Sequence, residues 1–237
     1  MKTFKKFFVI CSVAFAAVAV FGQGSFQNLN FESAYGLPGL LPSGGGSTVS
    51  VTNGVPGWNV FIGTNQQSSM LYNSLGAGSS TFSVYDTNFT APVNSLTPLE
   101  GNFSVMLDAG VTGNFIPTDV SISQTGLVPV NTQSIFFEAK PGNWNLLLSL
   151  NGQNISFVAL LSTANYTLYG GDISAFSGQT TQLEFTAVAN PSVDVNLWFL
   201  DNIQFSTQAV PEPATWCLLI FGGLCLLFFQ RKKITNL

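Results

Sequence analysis

SIFFEAKPGNWNLLLSLNGQNISFVALL, residues 134–161, is the stretch of sequence that decides the fold. It contains three short, mainly apolar runs, at 134–139, 146–150 and 154–161, with turn-forming residues between them. Short apolar runs bounded by turn dipeptides are typical of β-strands, and Asn151-Gly152 is the usual sequence of a tight hairpin. The stretch therefore predicts consecutive antiparallel strands.

The same pattern continues on both sides of this stretch. Further strand candidates lie at 104–107, 120–123, 166–169, 181–188 and 196–205, and turn signals lie at Gly170-Gly171 and Ser177-Gly178. The Gly/Ser-rich segments 43–47 and 75–80 are typical of surface loops. Sustained helical periodicity is absent from the sequence, so helices should be scarce. We expect residues 23–209 to form one all-β domain of two packed antiparallel sheets.

Charge and reactive side chains exclude several classes of function. Residues 23–209 carry ten acidic side chains against the single Lys140, a net charge of −9. Such a domain repels nucleic acid and anionic lipid, so neither is expected as a partner. The chain has no histidine, which removes the usual serine and cysteine triads and zincin motifs. The three cysteines, Cys11, Cys217 and Cys225, all lie outside the predicted domain, so it needs no disulfide.

The N-terminal segment has the three parts of a secretory signal peptide. Three lysines in the first six residues precede an apolar run at 7–20, and small residues follow. The pattern predicts that signal peptidase removes residues 1–22 by cleaving between Gly22 and Gln23, with Ala19 or Gly24 as alternative positions. A short amphipathic helix or an uncleaved anchor is the other interpretation.

The C-terminal segment, residues 210–237, is also tripartite. Val210, Pro211, Glu212 and Pro213 precede a predicted transmembrane helix at 214–230 and a basic tail at 231–237. The basic tail favours a cytoplasmic position for the C-terminus and an exported position for the domain. The two prolines keep the glutamate in an extended segment that a protease can read.

This segment resembles the PEP-CTERM sorting signal, also known as the ice-binding protein C-terminal motif. The resemblance implies processing near residues 210–213 by an exosortase-type membrane protease. It implies export across the inner membrane of a Gram-negative bacterium that makes exopolysaccharide and biofilm. The protein would be membrane-anchored first, then cell-surface or extracellular. The motif indicates where the protein is sorted and does not specify an activity. The alternative is an ordinary tail-anchored protein in which Pro-Glu-Pro occurs by chance.

Residues 28–205 resemble the galactose-binding-like jelly rolls of secreted carbohydrate-binding modules. The resemblance rests on an ordered set of motifs: Asn28-Leu29-Asn30-Phe31-Glu32, Val55-Pro56-Gly57-Trp58, Glu100-Gly101-Asn102-Phe103-Ser104-Val105, Ile122-Ser123-Gln124-Thr125 and Trp198-Phe199-Leu200-Asp201-Asn202-Ile203. It implies an antiparallel jelly-roll β-sandwich. The alternative is a generic sandwich that shares the same turn chemistry.

The second resemblance also implies a structural calcium site. In many of these modules an acid after the first-strand phenylalanine and an aspartate on the last strand bind Ca²⁺ together, and the matching residues here are Glu32 and Asp201. Hard oxygen ligands suit Ca²⁺, and the ion would offset the negative charge of the domain. Alternatively, both acids are solvated or accept backbone N–H groups. No cofactor besides this possible calcium ion is implied.

Three classes of function follow in order of preference. The first is a non-catalytic surface or matrix component, and the second is a module that binds exopolysaccharide. Sugar binding would need exposed aromatic faces, for which the candidates are Trp58, Tyr85 and Trp144, although such residues commonly pack in a core. The last class is a glycosidase with paired carboxylates, either Asp108 with Asp119 or Glu138 with Glu184. The chain is therefore expected not to be an enzyme.

The sorting hypothesis predicts the behaviour of one variant. Glu212→Ala should accumulate as an unprocessed, membrane-held precursor, because the exosortase-type protease would no longer read the motif. Immunoblotting of membrane and released fractions measures this outcome. Normal processing and release of the variant would contradict the hypothesis.

Overall fold

The computed structural model describes residues 24–39, 47–74, 79–89, 97–112, 116–142, 144–192 and 195–210. Within them the chain is almost entirely β-structure, which confirms the predicted all-β class. No helix in these ranges has the length and apolar character needed to cross a membrane. The predicted signal peptide with Gly22 and Gln23, the motif residues Pro211, Glu212 and Pro213, the predicted transmembrane helix and the basic tail all lie outside the described residues.

The described residues form fifteen strands, one short α-helix and one 3-10 helix. The first group of strands is β1 (Ser47–Ser50), β2 (Asn59–Ile62), β3 (Asn65–Gln67), β4 (Ser69–Tyr72), β5 (Thr81–Asp86), β6 (Phe103–Thr112), β7 (Ile116–Thr118) and β8 (Val120–Leu127). The second group is β9 (Ser134–Lys140), β10 (Leu146–Leu150), β11 (Gln153–Ile155), β12 (Phe157–Ser162), β13 (Thr167–Asp172), β14 (Thr180–Ala187) and β15 (Asn196–Ser206). The helix α1 is Val51–Gly54, and the 3-10 helix is Ser174–Phe176.

These strands build two sheets that enclose one main core. The larger sheet has nine strands in the order β1-β4-β5-β6-β15-β9-β13-β12, with β7 paired to β6. The smaller sheet has six strands in the order β11-β10-β14-β8-β2-β3. Among the named strands, the pairing is antiparallel except between β4 and β5, which are parallel. The architecture matches a jelly-roll sandwich, with this one parallel pair as a departure from the fully antiparallel expectation.

The core follows from the alternation of side chains along each strand. In β14, Thr181, Leu183, Phe185 and Ala187 are buried, whereas the residues between them are exposed or half-buried. Successive side chains of a strand point to opposite faces of its sheet, so this pattern gives the smaller sheet one inner and one outer face.

The larger sheet is covered on part of its outer face as well. A second cluster, formed by Tyr85, Phe89, Leu99, Met106 and Phe199, packs separately from the main core. Because β6 and β15 are buried on both faces here, both contain consecutive apolar residues, at 105–107 in β6 and at 197–200 in β15, and lack clean alternation.

The predicted strands from residue 104 onward are confirmed, although β6 and β8 continue five and four residues beyond their predicted C-terminal ends at 107 and 123. The predicted strand 154–161 is interrupted at Ser156 and forms β11 and β12. The prediction of a turn at Gly170-Gly171 was wrong, since both glycines lie within β13. They are glycines because of packing: a Cβ on Gly170 would lie 2.7 Å from Leu160 Cδ1 and 2.9 Å from the Phe136 ring.

The expected first strand at residues 28–32 is instead a series of turns. Asn28 and Phe31 have φ values of 51° and 56°, which are incompatible with an extended strand. The segment still lies beside the last strand, because the Ile203 amide donates to the Leu29 carbonyl at 2.9 Å. The turns therefore bring Glu32 close to β15 without adding a strand to the sheet.

Candidate functional site

A polar pocket of about 290 Å³ opens where these turns meet β15. We call it the acid–amide pocket, after the side chains that line it with Gly101: Asn30, Glu32, Glu100, Asp201, Asn202 and Gln204. It is the meeting point of three segments that are far apart in sequence: the turns at 28–32, the loop before β6, and the C-terminal half of β15.

An irregularity in β15 positions the pocket's side chains. The register between β15 and β9 shifts between Asp201 and Gln204, and Asn202 there has a φ of 45°. A bulge of this kind re-aims the side chains next to it. Asn tolerates the left-handed conformation better than most residues with a Cβ.

Asp201 is the buried anchor of the pocket. It is 1% exposed, and its Oδ2 accepts from the Glu100 amide at 3.2 Å and the Ser104 hydroxyl at 2.5 Å. Its Oδ1 accepts from the Asn202 amide at 2.7 Å. Removal from water disfavours the charged form more than these bonds favour it, so the pKa of Asp201 is raised to about 8.

Asn202 links two further carboxylates. Its Nδ2 donates to a Glu100 oxygen and, at 3.0 Å, to Glu138 Oε1, while its Oδ1 accepts from Gln204 Nε2 at 2.6 Å. Burial raises the pKa of Glu138, and the nearby charge of Glu100 adds to this effect. A side-chain hydrogen bond links Tyr166 to Glu138, so the Tyr166 hydroxyl lies beside the network. The negative charge of Glu138 raises the pKa of Tyr166.

Glu32 holds the loop before β6 from the other side. Its Oε1 accepts from the backbone amides of Asn102 at 2.7 Å and Phe103 at 2.9 Å, and its Oε2 accepts from Asn102 Nδ2 at 2.9 Å. Glu32 and Asp201 therefore clamp one loop between them, and the sequence-based expectation that they come together in space agrees with their positions.

This donor set does not fit a calcium ion. Both carboxylates already accept three hydrogen bonds each, largely from backbone N–H groups. Among the described residues, no group of three or more acidic, cysteine or histidine side chains is arranged to hold a metal. The alternative of acids that accept backbone N–H groups describes this site better.

The three aromatic candidates for sugar stacking lie in different environments. Trp58 is 4% exposed, packs against Phe31 and donates its indole N–H to the Asn28 carbonyl at 2.9 Å. Tyr85 is 1% exposed within the second apolar cluster. Neither ring has a face open to a sugar, which corrects the expectation for both. Trp144 is 46% exposed, and its ring remains available.

Trp144 lies far from the acid–amide pocket. Its amide and carbonyl bond to Asn196 and Trp198, at the beginning of β15. From Asn196 to Asn202 is six residues of strand, or roughly 20 Å. Trp144 is therefore a separate aromatic surface and does not belong to the pocket.

The proposed carboxylate pairs are not brought together as catalytic pairs. Glu138 points to the outer face of the larger sheet, because its neighbour Phe137 lies in the main core. Glu184 points to the outer face of the smaller sheet by the same alternation. The two are on opposite sides of the sandwich. In the other pair, Asp108 is 1% exposed within the larger sheet, whereas the Asp119 carboxylate accepts from the Ala189 amide in an exposed loop.

Asp108 is a buried acid without compensation. Its Oδ1 has no hydrogen-bond partner among the described residues, and neither does Thr81 Oγ1, which is opposite it across the β5–β6 pair. Removal from water alone raises the pKa of Asp108 to about 7. The sheet therefore contains a carboxyl group that is close to half ionised at neutral pH.

Sequence reasoning missed Glu100, Asn202 and Gln204 as members of the pocket. The Glu100-Gly101 pair begins the motif at 100–105, which predicts a strand, whereas Gly101, with a φ of 59°, is a turn residue that Glu32 packs against. Asn202 directly follows an aspartate in a strand, and an Asn in that position was the available signal for a bulge.

Comparison with known proteins gives no family. No family model matches the sequence, and no curated protein matches it significantly. The C-terminal resemblance therefore stays an expectation.

Some solved structures are similar in part to this chain. TmCBM61, a carbohydrate-binding module in complex with β-1,4-galactotriose, is 12% identical over 78% of this chain and 98% of its own, with a TM-score of 0.41. A cyclase from Fischerella sp. TAU is 13% identical over 82% and 100%, with a TM-score of 0.45. TmCBM27, a carbohydrate-binding module that recognises mannan, is 12% identical over 69% and 96%, with a TM-score of 0.36. At these values none of them assigns a function to this chain.

The buried Asp108 predicts a loss of stability as pH rises. Its folded-state pKa is above the unfolded value, so the native state binds more protons between about pH 4 and 7 and the free energy of unfolding falls across that range. The contribution is at most about 4 kcal/mol. Chemical denaturation at pH 5 and pH 8 should show a smaller difference in Asp108→Asn than in the wild type.

Asp172→Asn is the matched control for this measurement. The pKa of Asp172 is lowered by its bond from the Ser174 amide, so this variant should keep the wild-type fall in stability between pH 5 and 8. An unchanged pH difference in Asp108→Asn would mean that Asp108 is not an uncompensated buried acid.

The occupied oxygens of Glu32 and Asp201 predict that calcium does not stabilise the fold. The melting temperature should be the same in millimolar Ca²⁺ and in chelator, because binding to the native state alone is what would raise it. Asp201→Asn is the control, since it removes the ionisable carboxyl group and nearly preserves the shape. A rise with Ca²⁺ that disappears in Asp201→Asn would restore the calcium site.

Proposed function

We propose that this chain is an exported, non-catalytic cell-envelope protein whose sandwich domain binds a neutral exopolysaccharide in the acid–amide pocket. The observation that carries the proposal is the set of fixed polar groups at one opening. Within it, Asn30 and Glu100 are exposed, while Asp201 behind them is buried and fully hydrogen-bonded. A ligand site with this design has a rigid base and a few accessible groups that determine orientation.

The chemistry of the pocket suits hydroxyl groups. Carboxylate and amide oxygens accept from a sugar hydroxyl, and amide nitrogens donate to it. The Glu100 carboxylate is held by Asn202 on one side and projects into the opening on the other. These groups are already ordered by their neighbours, so a ligand does not have to order them.

Charge selects among glycans. Glu32 and Glu100 line the pocket, in a domain with a net formal charge of −9. An anionic polymer such as a uronate would be repelled by this field. The preferred ligand class is therefore a neutral polysaccharide, with the exposed ring of Trp144 as a second, remote contact for a long chain.

Binding without catalysis is supported by the burial of the acids. A glycosidase needs two accessible carboxyl groups on either side of the scissile bond. Glu138 is 5% exposed and Asp201 is 1% exposed, so neither side chain reaches a bound sugar as an acid or a nucleophile. Glu100 is exposed, and the half-buried Glu32 that lines the same pocket has both of its oxygens occupied by donors of Asn102 and Phe103.

Affinity measurement against a polysaccharide panel tests the proposal. Isothermal titration of the purified protein with neutral β-glucan, galactan, mannan and xylan should show binding to at least one, and alginate should not bind. Glu100→Ala should weaken the affinity by about tenfold or more, because it removes a charged hydrogen-bond acceptor. No reducing ends should be released from the bound glycan.

Glu184→Ala is the matched control, since it removes a glutamate from the opposite outer face of the sandwich. Its affinity should equal that of the wild type. Failure to bind every glycan in the panel, or equal affinities for Glu100→Ala and the wild type, would contradict the assignment of the pocket.

A further inference from the structure

Both ends of the described chain leave the sandwich at the same place. Near the N-terminus, the Ser25 amide donates to the Leu127 carbonyl at 3.3 Å, beside the last residue of β8. Near the C-terminus, the Ser134 hydroxyl donates to the Gln208 carbonyl at 2.5 Å, beside the first residue of β9. The connection 128–133 joins these two strand ends, so we call this part of the domain the tether end. The tether end consists of residues 24–25, 127–133, 172–179 and 207–210.

The tether end presents an apolar side chain on an ordered turn. Val130 is 69% exposed, the largest exposed fraction of any large apolar side chain in the described part of the chain. Its turn is closed by Thr132, whose amide and hydroxyl both donate to the Pro129 carbonyl, at 3.3 and 2.7 Å. Leu127 is 40% exposed, and Val128, between Leu127 and the turn, is buried in the main core. A partner would therefore not have to order this turn before contacting its apolar side chains.

Charge distinguishes the tether end from the rest of the domain. Asp172 is its single charged residue, although the domain contains ten acids. Glu138 is four residues from the end of β9 on this side, and Glu184 is four residues from the end of β14, roughly 13 Å in each case. This distance exceeds the screening length of about 8 Å at physiological ionic strength. A zwitterionic surface therefore meets little repulsion at the tether end.

The sequence that follows the tether end indicates a lipid as its partner. The Gln208 carbonyl is still bonded to the sheet, and the predicted transmembrane helix begins at residue 214. The five residues between them, 209–213, span at most about 18 Å when fully extended. The predicted helix would thus keep the tether end close to the membrane surface. Because the contact is then intramolecular, a small apolar surface is sufficient for it to form.

We infer that the tether end rests on the membrane surface, with Val130 and Leu127 inserted among zwitterionic headgroups. The inference rests on the membrane anchoring that the proposed function includes, and it is independent of the glycan site. Anionic lipid is the less favourable surface, because the other acids of the domain would be repelled by it. Strand β15 runs from beside Trp144 to the tether end, so this contact would turn the exposed ring of Trp144 away from the membrane.

Quenching of a fluorescent label by lipid tests the inference. An environment-sensitive fluorescent amino acid is placed at position 127 of the full chain, which is reconstituted in phosphatidylcholine vesicles. Bromine-labelled acyl chains should reduce its fluorescence, because they quench groups that reach the lipid. The matched control is position 147, since Leu147 is 39% exposed but lies opposite Thr186, roughly 20 Å from the end of β14 at the tether end. A label at position 147 should keep its fluorescence.

Val130→Asp in the chain labelled at position 127 tests the apolar contact. It replaces an aliphatic side chain by a charged one, so it should shift the docking equilibrium by about tenfold and remove most of the quenching. Leu147→Asp should leave the quenching unchanged. Circular dichroism checks that both variants fold, and Val130→Ser takes the place of Val130→Asp if that variant does not.

Flotation of the vesicles reports the anchoring separately from the contact. A chain that does not float with the vesicles would contradict both the proposed anchoring and this inference. A chain that floats but shows no quenching at position 127 would overturn the inference alone. Equal quenching at positions 127 and 147, or quenching that persists in the Val130 variant, would overturn it in the same way.

Discussion

The structure depends most on the position of β15 between β6 and β9. Strand β15 pairs with β6 only as far as Leu200, opposite Val105, but continues along β9 to Ser206. Where the β6 ladder ends, the backbone N–H groups of the loop before β6 need other acceptors. Asp201 and Glu32 are those acceptors, as they take the amides of Glu100 and of the two residues that precede Ser104. The acid–amide pocket is thus a consequence of how the central strand pair ends.

Burying acids for this purpose has an electrostatic cost. Asp201 and Glu138 both have raised pKa values, chiefly because burial removes their charged forms from water. A polar network that is nearly satisfied gives a rigid, specific arrangement, whereas an apolar substitute would leave the loop amides without acceptors. Among the described residues, Glu138 Oε2 and Asp108 Oδ1 are buried without a hydrogen-bond partner. Burial of these two acids therefore lowers the free energy of unfolding. For Asp201 and Glu32, the hydrogen bonds to the loop amides indicate a structural role, in which they fix the loop that carries the exposed Glu100.

Apart from β7, the sequence was sufficient to predict the strands from residue 104 onward, because turn dipeptides such as Asn151-Gly152 bound them and β14 alternates cleanly. It was not sufficient for β1 to β5, which are short, carry Asp86 as their one charged residue, and include a parallel pair. Glu32 and Asp201 were placed together by resemblance, but the role of Asn202 depends on a bulge and a left-handed backbone that composition does not reveal. Gly170 misled the prediction in another way, because glycine is typical of turns but here lies within a strand. Leu160 and Phe136 occupy the space that a Cβ at position 170 would need.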